Sequence, residues 1–129
     1  MSNPKYQEWF DTAARGIISQ GKPSMGRDPI TENPKCVYRS PDGCKCAIGW
    51  LIPDDKYDPS FERSSYTLAS KISFLTEKYD DISFLGSLQL AHDNAAYTDN
   101  FLEYFIIYME ELAHSYDLNT DVLNESLLS

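Results

Sequence analysis

Four backbone breakers, Pro23, Gly26, Pro29 and Pro34, crowd into Lys22–Pro34 and cut the chain into two unlike parts. Neither helix nor strand tolerates that density, so 22–34 is expected to be an ordered loop. Ahead of it, Asn3 can cap a helix with Pro4 at its first position, Tyr6, Phe10, Ala13 and Ile17 recur at helical spacing, and Gly21 closes the pattern. A helix is expected over 4–20. Behind the loop, Pro41-Asp42-Gly43 is turn punctuation between Lys35–Ser40 and Cys44–Leu51, which gives a β-hairpin over 35–51. With Gly43 left-handed in a three-residue loop, Ser40 lies opposite Cys44 and Tyr38 opposite Cys46; a two-residue turn would set Arg39 opposite Cys46, and the spacing allows both. In the first register Cys36, Tyr38, Cys44, Cys46, Ile48 and Trp50 share the core face, and the cations Lys35, Arg39 and Lys45 lie on the other.

Apolar residues at intervals of three and four predict helices over 65–79, 81–96, 98–116 and 119–127, with Thr98 or Asp99 capping the third. A chain of 129 residues, 42% apolar, closes one hydrophobic core. The expectation is therefore a mostly helical α+β single domain over 1–129, with about five helices packed around one β-hairpin. Within 98–116 the apolar face from Phe101 to Ala113 is wider than one neighbour needs, and a homo-oligomer, dimer or tetramer, is expected. Met1-Ser-Asn-Pro4 has no marks of a secretory leader, and no apolar run is long enough for a bilayer span, so a cytoplasmic protein with no membrane partner is expected. Three cysteines within eleven residues are an odd, clustered set and read as reduced thiols.

Charge is unevenly spread. Residues 1–45 hold seven of the eleven Lys/Arg against five acids, and residues 46–129 hold four against fifteen. A few cations gathered around one motif suit a small anion; duplex DNA demands a broad positive face, so no direct nucleic-acid partner is expected.

The segments Cys36-Val-Tyr-Arg39, Gly43-Cys-Lys-Cys-Ala-Ile-Gly49, Leu51-Ile-Pro-Asp54 and Leu88-Gln-Leu-Ala-His-Asp93 resemble, in order and spacing, the signature of an uncharacterised family of small bacteriophage and prophage proteins. The family pattern usually lacks a cysteine at position 44 and often has one at position 50, where this chain has Cys44 and Trp50. The resemblance implies a phage anti-defence protein, acting in the host cytoplasm as a sponge for a nucleotide signal.

The residues give that implication a chemistry. Arg39 and Lys45 across the turn, with Arg15 or Arg27 from the helix and loop, can neutralise phosphates, because a guanidinium fork makes paired charged hydrogen bonds and an ammonium adds a mobile point charge. Trp9, which lies off the Tyr6/Phe10 stripe, or Tyr38 can stack a base. Gln89 and His92, three apart on one helix side, can read polar edges. The expected ligand site is thus Trp9, Arg15, Arg27, Tyr38, Arg39, Lys45, Gln89 and His92, for a small phosphorylated nucleotide, cyclic dinucleotide or ADP-ribose in type, held without turnover; no cofactor, metal or catalytic residue is expected. The bland reading has Asp54, Asp55 and Asp58 consume the cations in salt bridges.

Two alternatives come from other classes. Ten carboxylates and no Lys or Arg over 79–129 could serve an acidic inhibitor or DNA mimic that binds a host defence protein. A Cys/His hydrolase would use Cys46, His92 and Asp93 or another carboxylate, but adjacent helical side chains diverge by about 100°, which sets Asp93 poorly for the same imidazole, and no helix cap is expected to activate Cys46. A zinc set of Cys36, Cys44, Cys46 and His92 has suitable donors, yet Cys44-Lys-Cys46 is tighter than the usual knuckle.

Overall fold

Asn3 sets the first helix. Its Oδ1 accepts from the backbone N–H of Lys5 (2.9 Å) and Tyr6 (3.3 Å), Pro4 fills the first turn, and Gly21, at φ 75°, closes the helix by donating to Ile17 O at 3.0 Å. In the computed structural model, which describes residues 3–28, 31–62, 73 and 75–125, α1 therefore spans Pro4–Gln20, as expected.

The hairpin lies elsewhere than predicted. β1 (Met25–Arg27) pairs antiparallel with β2 (Pro34–Cys36) in the register Met25↔Cys36, Gly26↔Lys35, Arg27↔Pro34, so a strand occupies part of the predicted loop 22–34. The predicted hairpin 35–51 survives as its turn: Ser40 N donates to Cys44 O (2.9 Å), Cys46 N to Tyr38 O (3.3 Å), Gly43 has φ 90°, and a lone bridge joins Arg39 to Lys45. This is the three-residue-loop register. The ladder stops there for two reasons. The Glu62 carboxylate accepts the N–H groups of Tyr38 (2.9 Å) and Arg39 (3.1 Å), and on the other arm Cys46 Sγ accepts from Gly49 N (3.3 Å), capping a short helix, α2 (Ala47–Leu51). Face alternation consequently fails past Cys46, where Ala47, Ile48 and Gly49 are all buried.

A 3-10 turn over Pro59–Glu62 follows. The predicted helix 65–79 lies mostly outside the described residues; Leu75–Lys78 are not helical, and α3 spans Tyr79–Ala96. α4 spans Phe101–Tyr116 rather than 98–116, because Thr98 Oγ1 turns back to Ala95 O (2.7 Å) and finishes α3, leaving Asn100 at the cap. α5 (Asp121–Glu125) starts later than 119, with Asn119 Oδ1 accepting from Asp121 N (2.6 Å).

All five helices among the described residues feed one core, and the described chain is a mostly helical α+β domain. α1 contributes Phe10, Ala13 and Ile17, α2 Ile48, α3 Phe84, Leu85 and Leu88, α4 Phe105 and Met109, and α5 Val122 and Leu123. Two close approaches seat α2. The Trp50 indole lies on Gly16, where a Cβ would stand 2.3 Å from the ring, and Gly49 backs onto Tyr38 O, where a Cβ would stand 2.2 Å away. No helix among the described residues is long and apolar enough to cross a membrane.

Candidate functional site

The predicted binding residues divide into three places. Trp9 belongs to the core: it is buried, 5.7 Å from the Tyr6 ring and 6.3 Å from Phe84. The prediction placed it off the buried stripe, but α1 packs against α2, α3 and α5, so its buried arc is wider than one stripe and takes in Trp9. Tyr38 is half-buried against the same core.

Gln89 and His92 form a second place, an internal polar cluster between α3 and the β1 entry. His92 Nε2 accepts from Ser24 N (2.9 Å), which puts the proton of the neutral ring on Nδ1, 2.9 Å from Asp93 Oδ1. Gln89 accepts from Ile48 N (3.1 Å) through Oε1 and donates to Asp93 Oδ1 (2.8 Å) through Nε2. These two residues are fully engaged in holding β1 and α2 to α3. The predicted divergence of His92 and Asp93 does not hold, since the carboxylate swings back along the helix to meet the ring. Asp93 also draws in Cys36, whose Sγ lies within 4.8 Å of both His92 and Asp93 ligand atoms.

Cys36, His92 and Asp93 are donor types for a metal, yet the Ser24 N–H occupies one imidazole lone pair and the Nδ1 proton blocks the other. The same constraint denies a nearby thiol its base. Burial, then the charge and hydrogen bond of Asp93, push the Cys36 thiol up to about 12, with Tyr97 pulling weakly the other way. Burial also raises Cys46 far above the ordinary thiol value, although Gly49 N–H, at the helix cap absent from the sequence reading, works against it; Cys44 is raised by burial as well. Thiols protonated at neutral pH are poor nucleophiles.

The predicted cations separate. Arg15 is on the outer side of α1 in a shallow cleft shared with Glu8 and Asp11, and Arg27 lines a cleft of about 490 Å³ with Met25, Gly26, Pro34 and Pro41 and reaches Glu32 O (3.4 Å). Lys22 pairs with Asp42 (2.9 Å) and Lys35 with Glu62 O (2.9 Å).

Arg39 and Lys45 do come together. Across the isolated bridge, Arg39 Nη1 lies 2.8 Å and Lys45 Nζ 4.0 Å from the same oxygen, Asp54 Oδ1. Arg39 is fixed by its own scaffold: Nη2 donates to Ile52 O (2.9 Å) and the guanidinium stands 4.5 Å above the Tyr57 ring, itself tethered to Glu62 (2.6 Å). Lys45 sits 4.8 Å over Trp50, and Gln20 clamps its peptide from both ends, Lys45 N to Oε1 (3.0 Å) and Nε2 to Lys45 O (2.8 Å). The cations are mostly buried, Arg39 20% exposed, whereas Asp54 is 85% exposed. Two buried donors in this region, Arg39 Nε and Trp50 Nε1, have no partner among the described residues. Asp54 was foreseen as a competitor for the cations; Tyr57, Glu62, Gln20 and Trp50, which hold them in place, left no signal in the sequence beyond being polar or aromatic.

No family model matches the chain, and no curated protein or solved structure matches it either.

Proposed function

We propose that the protein binds a small phosphorylated ligand without turning it over, at the position that Asp54 Oδ1 takes between Arg39 and Lys45. The observation that carries this reading is the asymmetry of that triad: two cations held by contacts of their own, and an exposed anion with no other partner among the described residues. An exposed ion pair contributes only about 0–1 kcal/mol, so a phosphate, with more charge and more acceptor oxygens, displaces a surface carboxylate at little cost.

The rings contribute indirectly. Trp50 is covered by Gly16 on one side and Lys45 on the other, and Tyr57 carries Arg39, so they aim the cations and leave phosphate recognition as the principal interaction. Binding without chemistry fits the protonated thiols and the occupied imidazole of His92. In the phage setting that the sequence resemblance implies, the ligand is a nucleotide signal of host defence, of cyclic-dinucleotide or ADP-ribose type, and the protein is a cytoplasmic sponge. The homo-oligomer belongs to the same proposal, because the site is open on its Asp54 side and a second copy laid over it would enclose the phosphate.

Calorimetric titration with cyclic di-AMP, ADP-ribose and pyrophosphate at low salt tests the reading, with heat-released ligand checked for chemical change. Asp54→Ala is expected to tighten binding about two- to fivefold by removing the internal competitor, and Lys45→Ala to weaken it. Equal affinity in wild type and Asp54→Ala, or recovery of an altered nucleotide, refutes it.

A further inference from the structure

The face formed by α3 and α4 away from the core carries apolar residues that no other described residue covers. A shallow groove of about 200 Å³ runs between the two helices, lined by Ser87, Leu90, Ala91 and Asn94 on one side and Tyr108, Glu111 and Leu112 on the other. Leu90 is 56% exposed on one wall; Ile107, at 41%, and Tyr104, at 39% and with its ring 6.2 Å from Tyr108, extend the other. Helical spacing puts Glu103, Glu110 and Glu111 one turn from Ile107, and no Lys or Arg follows Lys78 anywhere in the chain. Leucine, isoleucine and tyrosine rimmed by one sign of charge form a surface with a definite complement.

We infer that this groove receives a basic amphipathic helix of a partner protein, with its apolar ridge seated between Leu90 and Tyr108 and its Lys/Arg flanks against Glu103, Glu110 and Glu111. Charge selects that occupant over a second copy of the chain. An isologous contact would set these glutamates against their own symmetry mates. A head-to-tail contact would draw on the cations of the N-terminal half, where Lys5, Lys22, Arg39 and Lys45 are already paired with Asp81, Asp42 and Asp54. The mode of recognition is a helix laid in a groove, with anchors at intervals of three and four. It is independent of the phosphate site, which involves neither α3 nor α4.

The probe is a synthetic helix of leucine and lysine in amphipathic order, compared with its leucine–glutamate counterpart, titrated into the ¹⁵N-labelled full chain. Shifts concentrated at Leu90, Asn94, Tyr108 and Glu111 are expected with the lysine peptide alone. The double variant Leu90→Ser/Ile107→Ser, which leaves every charge in place, should weaken binding about tenfold, and Glu110→Lys/Glu111→Lys should do so while flattening the salt dependence. Both pairs are exposed, and retention of the wild-type spectrum elsewhere verifies the fold. Undiminished binding by the serine variant, shifts spread over the whole acidic surface, or self-association mapped to this groove overturns the inference.

Discussion

Tyr6 donates its hydroxyl proton to Asp81 Oδ1 across 2.8 Å in the interior, joining the first turn of α1 to the first turn of α3. The other carboxylate oxygen takes Lys5 Nζ at 2.8 Å and Glu77 N at 2.9 Å, so a fully buried carboxylate is served by three donors. The Tyr6 ring then stacks 4.3 Å from Phe84, one turn along α3, so the polar link and the aromatic packing fix the same crossing.

Replacing Asp81 by Asn should cost about 2–4 kcal/mol in urea unfolding, since it removes the charge that Lys5 and Tyr6 were placed to meet. The pH dependence follows from the same contacts. Burial alone would raise the Asp81 carboxyl, but hydrogen bonds from Lys5, the Glu77 amide and Tyr6, with the Lys5 charge, outweigh it and hold the group well below the carboxylate range. A depressed folded value means that the contribution is complete above the unfolded value of about 3.9 and is lost as pH falls toward the folded one. Wild type should lose stability below about pH 5 more steeply than Asp81→Asn; parallel acid profiles would contradict the assignment.

Arg39 has too many structural duties for alanine to be a clean probe of binding. Its removal strips Ile52 O of a donor and Tyr57 of its cation, and should cost about 1–3 kcal/mol whether or not a ligand binds. Arg39→Lys retains the charge near Asp54 but loses the planar fork and the reach to Ile52. It should keep weak phosphate binding in calorimetry, while Asp54→Ala leaves the melting temperature close to wild type because an exposed partner contributes little.

How much of this could be read in the sequence depended on how local the determinants were. α1 was legible to its ends because Asn3, Pro4 and Gly21 act within one turn, and the register about Gly43 was among those the turn chemistry allowed. β1 was not legible. Three residues among prolines carry no strand signal, and they are held by pairing with β2 and by the Ser24–His92 hydrogen bond, sixty-eight residues apart in sequence. Of the candidate binding residues, Arg39 and Lys45 come together because they face each other across a local turn, whereas Arg15, Arg27, Gln89 and His92 were grouped with them by charge or type and the tertiary fold sets them elsewhere. Trp9 failed for a related reason: burial on a helix depends on how many neighbours it has, which periodicity alone does not encode.

Cys36 offers a chemical test of the Asp93 cluster. The carboxylate raises the thiol second only to burial, so Asp93→Asn, which can still accept from His92, should lower the Cys36 value and speed iodoacetamide alkylation at pH 8 by about three- to tenfold. Because the folded value lies above the unfolded one, near 8.5, the cluster's contribution is complete below that pH and is lost as pH climbs toward about 12. Wild type should therefore weaken above pH 8.5 more than Cys36→Ala does. An alkylation rate that ignores Asp93 would separate the thiol from the carboxylate.

Gly49→Ala puts the placement of α2 to a steric test. The new methyl carbon would stand 2.2 Å from Tyr38 O, a backbone atom that Cys46 N already holds at 3.3 Å, so the collision cannot be relieved by turning a side chain. At Gly16 the obstacle is the Trp50 ring at 2.3 Å, part of a side chain that can rotate, though only by giving up its place beneath Lys45. Gly49→Ala should cost about 1–3 kcal/mol or more by chemical denaturation, as overpacking does in tight interiors. Gly16→Ala should cost less stability but weaken phosphate binding, because moving Trp50 removes the support that aims Lys45 at Asp54. Loss of both properties to the same extent in the two variants would mean that α2 moves as one body and that Trp50 has no separate role at the anion site.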